Sequence, residues 1–295
     1  NIEGSLSGDG ILNFVTPYVR ADWVANSLNF YGKLNVTSDS DGGTFRITNN
    51  STGFPNATIS LGDKVDMGAY SSVGASSPNT GSLVKIGALE GVAGSSIGGG
   101  RWEIGYNNAD AVFNGTTSAT ATITKVGTGK WTLTGTSAST AIVNINGGTL
   151  EVRNTTGSAT GTNAVYVRDG ATLAGTGIVG GSVLVQSGAI VSPGNNGFGT
   201  LTINGVLSLL TGSTTRIELF GAQLDRLSVG STASLKGTLE MVNKGSTYTA
   251  GTSYKIITAP TITGTFDAIV PATPGEGLEW NTSRMSEGII SVDVA

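Results

Sequence analysis

The sequence predicts an all-β solenoid, a single-stranded parallel β-helix, and three observations carry that expectation. First, a short phrase recurs. It reads Asn146-Gly147-Gly148-Thr149-Leu150-Glu151-Val152, then Asp169-Gly170-Ala171-Thr172-Leu173-Ala174-Gly175, then Ser187-Gly188-Ala189-Ile190-Val191-Ser192-Pro193-Gly194. A polar-glycine turn followed by an apolar strand at about twenty-residue spacing marks units that stack on one another. Second, apolar and polar residues alternate with period two in short runs, and no apolar stripe of helical period reaches helix length. Third, glycine makes up 46 of the 295 residues without a collagen triplet, so turns are frequent and tight.

The elements come in order along the chain. Residues 1–118 alternate irregularly, as in Leu28-Asn29-Phe30-Tyr31 and Thr44-Phe45-Arg46-Ile47, and carry most of the aromatic residues. Longer loops fall at residues 69–81 and 89–100. This region reads as irregular coils of the same helix or as an N-terminal subdomain. No proline-rich or charged linker divides it from the rest of the chain. From residue 119 the pattern becomes regular. Ala121-Thr122-Ile123-Thr124-Lys125-Val126 alternates and Gly127-Thr128-Gly129 turns. Short strands succeed one another at Leu150, Val165, Leu173, Val183, Ile190, Leu201 and Leu207. Pro271, Pro274 and Gly275 punctuate the end. Ile289–Val294 reads as a last strand, so the final residues are expected to cap the stack.

Composition narrows the chemistry. The chain has no cysteine and no histidine. That removes thiolate and imidazole metal sites, the Ser-His-Asp triad and the commonest general base. Charged residues are only 12%, the net charge is −4, and no basic stripe runs through the sequence, so nucleic acid is not an expected partner. No stretch approaches the ~20 apolar residues of a membrane-spanning helix, and no membrane insertion by this segment is expected.

The stretch Lys125-Val126-Gly127-Thr128-Gly129-Lys130-Trp131-Thr132-Leu133-Thr134-Gly135 resembles the signature of the autotransporter-associated β-strand repeat family. Asn146-Gly147-Gly148-Thr149-Leu150, Ser192-Pro193-Gly194 and Gly199-Thr200-Leu201-Thr202-Ile203-Asn204-Gly205 come next, in the family's order. Asp225-Arg226-Leu227-Ser228-Val229-Gly230 is similar to a further family coil, one residue shorter at its end. Gly277-Leu278-Glu279-Trp280-Asn281-Thr282-Ser283 resembles the ending of large secreted proteins of Bacteroidetes-type bacteria. The resemblance implies a right-handed β-helix, exported to the extracellular space or the outer surface of a Gram-negative bacterium. Within such families these coils serve as stalks, as adhesin passengers and as modules of polysaccharide-degrading enzymes.

Candidate sites are few. Tyr18, Trp23, Tyr31, Trp102 and Tyr106 are candidates for a carbohydrate-stacking platform, against the alternative that aromatics pack into the core. Asp39 and Asp41 beside Gly42-Gly43 suggest a calcium half-site, although two carboxylates supply too few oxygens for calcium. Arg20, Asp22, Lys33 and Arg46 are the charges a polysaccharide lyase would need, but the pattern reads as scattered surface charge. No catalytic residue and no cofactor is expected. The expected function is a non-catalytic exported scaffold or stalk. The alternatives are a carbohydrate-binding accessory module, whose partner is a polysaccharide or cell-surface glycan, and a self-assembling adhesive protein that forms homo-oligomers through its coil ends.

Overall fold

Short alternating strands bury one side each by wrapping into a stacked coil, and this chain does so over most of its length. In the computed structural model every residue from 1 to 295 is described except 18, 19, 40, 49–51, 195, 196 and 246. The strands form three faces of a parallel β-helix, and each strand pairs in parallel with its counterpart on the adjacent coil. The first face runs from Ile11–Thr16 and Lys33–Ser38 through Ala111–Phe113, Lys130–Leu133, Gly148–Val152, Ala171–Gly175 and Ile190–Pro193 to Ala268–Val270. The second includes Arg101–Ile104, Thr122–Lys125, Val143–Ile145, Val165–Val167 and Val183–Val185. The third includes Ala21–Trp23, Gly43–Thr48, Val65–Tyr70 and, later, Thr200–Ile203 and Arg226–Val229. Leu83–Gly91 is long enough to turn a corner. Its first half pairs with Arg101–Ile104 on the second face, and Gly91 pairs with Phe113 on the first.

The repeated phrase becomes register. Leu150 stacks on Leu173, which stacks on Val191, and Glu151, Ala174 and Ser192 stack beside them on the outside. On the second face the inward column reads Trp102, Ile123, Val143, Val165, Val183, Leu207 and Ala233. All seven are buried. Burial of each larger side chain in this column is worth roughly 1.5–3 kcal/mol.

One inward column contains a lysine. Lys125 stands between Ile104 and Ile145 and is buried. Its Nζ donates to the carbonyl of Val126 at 2.7 Å, with Gly147 O at 3.3 Å and Gly127 O at 3.4 Å. The turn that follows Lys125 and the matching turn of the next coil thus wrap carbonyls around the ammonium. Burial lowers the Lys125 pKa to about 8, opposed by the nearby Asp110 charge.

Close stacking also explains particular glycines. Gly148 opens its strand at φ +60°, and a Cβ there would collide with the carbonyl oxygens of Gly129 and Gly127 on the neighbouring coil. Gly221 has the same φ but faces open space.

An inserted hairpin pairs Leu219 with Leu224 in antiparallel fashion. Just after it, the buried Asp225 carboxylate accepts from Gly199 N at 3.0 Å and Glu218 N at 3.1 Å. It therefore ties Gly199 to the strand Thr214–Phe220 that opens the hairpin. Burial raises its pKa to about 6 despite those two donors.

The two ends differ. At the C-terminus, Ser253–Lys255, Leu278–Asn281 and Ile289–Val294 form an antiparallel sheet. It joins the stack through Gly288 O, which accepts from Ile256 N and Ile257 N. Met285, Ile290 and Val292 are buried beneath it. At the N-terminus a hollow lined by Ile2, Leu6, Leu12, Phe14, Trp23 and Ala25 opens on the first coil.

Three outcomes test this packing. Gly221→Ala should cost about 1 kcal/mol from its positive φ alone, whereas Gly148→Ala should cost several kcal/mol, because strain and collision add; chemical denaturation of both variants measures the difference. Between pH 8 and 10.5 the unfolded chain binds a proton at Lys125 that the folded chain has lost. Stability relative to Lys125→Met should therefore rise across that window in pH-dependent denaturation. For Asp225 the sign is opposite. The folded chain holds the extra proton between pH 3.8 and about 6, so this contribution to stability falls as pH rises through that range, and Asp225→Asn should abolish that slope.

Candidate functional site

The fold disperses the aromatic residues singled out by sequence. Trp23 is 2% exposed. Its Nε1 lies 3.2 Å from Ala25 O and 3.0 Å from Ser27 Oγ, and its ring packs against Phe14, Phe45 and Phe54. Trp102 is 1% exposed and donates to Gly99 O at 2.6 Å. Both are core residues, so neither offers a ring face to a sugar, and the platform expected of them is corrected to packing. Tyr31 and Tyr106 are exposed. The Tyr106 hydroxyl donates to the Glu103 carboxylate, and burial together with that acid pushes its pKa up to about 12. The two tyrosines sit on the same edge of the helix, with the coils of Gly53–Leu61 and Leu83–Gly91 between them. Tyr18 lies outside the described residues.

The charged candidates separate as well. Asp39 and Asp41 are exposed beyond the end of Lys33–Ser38, and among the described residues no group of three acidic side chains comes together to hold a metal ion. Asp22 and Arg46, expected as separate surface charges, instead form a buried pair with Nε 3.1 Å from Oδ1. The loop over residues 71–80 folds across this pair. Gly74 N donates to Asp22, Arg46 donates to Ala75 O, and the Arg46 guanidinium lies 3.7 Å from the Tyr70 ring centroid. Lys33 belongs to another face, where it pairs with Glu90 at 2.6 Å. Arg20 also reaches Asp22, with its Nε 4.0 Å from Oδ2, so three of the four charges meet in a buried pair and its rim while Lys33 stands apart.

What the coils do assemble is a polar groove on the outside of the first face, around a hollow of about 420 Å³. Its floor is the outward column Ser60, Glu90, Val112, Thr132 and Glu151, one residue per coil. Asp110 and Lys130 stand on one side, and Val92, Asn114 and Arg153 on the other. Two floor residues are nearly sealed: Glu151 is 4% exposed and Thr132 is 2% exposed. The Thr132 hydroxyl donates to Glu151 at 2.7 Å, and Lys130 Nζ lies 3.7 Å from the same carboxylate. Asp110 in turn accepts from the backbone N of Lys130 at 2.7 Å. The groove continues into a smaller hollow lined by Lys130, Thr149, Glu151, Ala174, Ser192 and Glu218.

Its chemistry is that of a binding surface. Polar groups recur along the helix axis at about 4.8 Å per coil, interrupted by Val112, and two of the acids are paired, Glu90 with Lys33 and Glu151 with Lys130. Sequence reasoning missed the groove because its residues span positions 60 to 153 and form no local motif. The one available signal was Lys130-Trp131-Thr132 against Thr149-Leu150-Glu151: the same alternation that buries Trp131 and Leu150 turns Thr132 and Glu151 outward, side by side.

No family model matches the chain. Among characterised proteins, it is similar to the adhesin BmaC autotransporter of Brucella suis biovar 1 (strain 1330), with 30% identity over 118 residues. That stretch is 40% of this chain and 3% of the adhesin, so the chain matches a small fraction of that protein's length.

Proposed function

We propose that this chain is a stiff, non-catalytic segment of a surface-exposed, adhesin-like passenger, carried on the outside of a Gram-negative bacterium and belonging to the autotransporter-associated repeat type. The observation that carries this reading is the long parallel stack, whose first face pairs coil to coil from Ile11–Thr16 to Ala268–Val270 over one apolar core. Such a stack resists bending because each coil is hydrogen-bonded to the next over much of its length. The partial similarity to an autotransporter adhesin supports the surface location. The burial of the Asp22–Arg46 pair under the loop over residues 71–80, with Lys33 on another face, supports the non-catalytic part, since that acid and base are closed off from a substrate.

Displaying the chain on a non-adherent Gram-negative strain, fused to a translocating barrel, tests the reading. Adhesion to epithelial cells and to extracellular matrix should exceed that of the barrel alone by severalfold, roughly tenfold for a contact worth about 1.4 kcal/mol. Adhesion equal to the barrel control would overturn it. Incubating the purified chain with pectin or alginate should release no unsaturated, ultraviolet-absorbing product.

A further inference from the structure

We infer that the groove on the first face binds an uncharged, linear glycan lying along the helix axis. This rests on the adhesin-like reading and names the ligand chemistry of its contact surface. Four properties of the groove select that class.

The floor is the side-chain face of a sheet whose backbone groups already pair between coils, as Trp131 with Leu150 and Leu150 with Leu173. A peptide strand therefore finds no open edge to extend. The apolar part of the floor is confined to Val92, Ala111 and Val112, too little for the apolar face of an amphipathic helix. Across the two connected hollows four carboxylates (Glu90, Asp110, Glu151, Glu218) meet Lys130 and Arg153, with Lys33 and Lys244 taken up by Glu90 and Glu218, so there is no net positive field to hold a polyanion such as a uronate. Pairing of Lys33 with Glu90 and Lys130 with Glu151 blunts the remaining field, so a polycation gains little.

What is left suits hydroxyl recognition. Asp110 and Asn114 on one coil, Lys130 on the next and Arg153 on the one after present accessible donors and acceptors, and the step of about 4.8 Å between coils is close to one sugar unit of an extended chain. Val92 and Val112, both half-exposed, supply small apolar patches for the faces of the rings. The buried Thr132–Glu151 hydrogen bond holds the floor in place without a ligand, so little ordering is needed on binding.

Native affinity electrophoresis of the full chain tests this, in gels cast with soluble glucan, mannan, galactan or xylan, and with polygalacturonate or alginate. At least one uncharged polysaccharide should retard the chain. Val112→Arg, which fills the groove from an exposed position, should weaken that retardation roughly tenfold or more. Glu151→Gln should weaken it too. Ser208→Arg, on the second face, should leave it unchanged, and thermal melting confirms that each variant is folded. No retardation by any uncharged polysaccharide, retardation by polyanions alone, or retardation that survives Val112→Arg would each overturn the inference. Cell adhesion that persists without glycan binding would sink this inference and leave the adhesin reading standing. A chain that binds glycan but adds no adhesion would do the reverse.

Discussion

Every feature of this protein depends on the parallel register between coils. Because each residue hydrogen-bonds beside its counterpart one coil away, a position that points inward does so in coil after coil. Leu150, Leu173 and Val191 share one inward column, and Val143, Val165 and Val183 share another. The core is therefore a set of columns, and a residue of the wrong class is felt by both neighbours. Lys125 is tolerated in such a column because two carbonyls of its own turn and one from the turn of the next coil close over the ammonium. Gly148 is required for the same geometric reason, since stacked turns bring backbone against backbone with no room for a side chain.

The same register organises the outside. Ion pairs run along the axis, linking Lys33 to Glu90, Lys130 to Glu151, Arg216 to Glu240 and Lys244 to Glu218. Exposed pairs of this kind add little stability one by one. Their larger effect is to cancel charge along a face that would otherwise carry a row of acids. The polar groove lies on this face. The groove is built on an outward column, while the inward columns fix its spacing.

Departures from the regular coil are held by buried polar contacts. The loop over residues 71–80 is held by the Asp22–Arg46 pair, and Gly199 is held by Asp225. In both places a buried charge is satisfied by backbone donors or an opposite charge, as burial demands. Insertions can thus vary in length while the columns beneath them keep their register.

The sequence by itself determined the class of fold from residue 119 onward. A strand period of two and a repeat near twenty residues leave few ways to bury Leu150, Leu173 and Val191 together, and the glycines mark where each coil must turn. It could not say which aromatic residues face outward before residue 119. There the loops vary in length, so counting residues from one strand to the next loses the parity that separates Trp23 and Trp102, both in the core, from Tyr31 on the surface. Nor could it reveal the groove, or the pairing of Asp22 with Arg46. Those contacts join residues of different coils, and neighbours across coils are set by the lengths of the intervening turns. Only the tertiary structure decided them, because stacking places Thr132 against Glu151 at hydrogen-bond distance while nothing in their separation along the chain requires it.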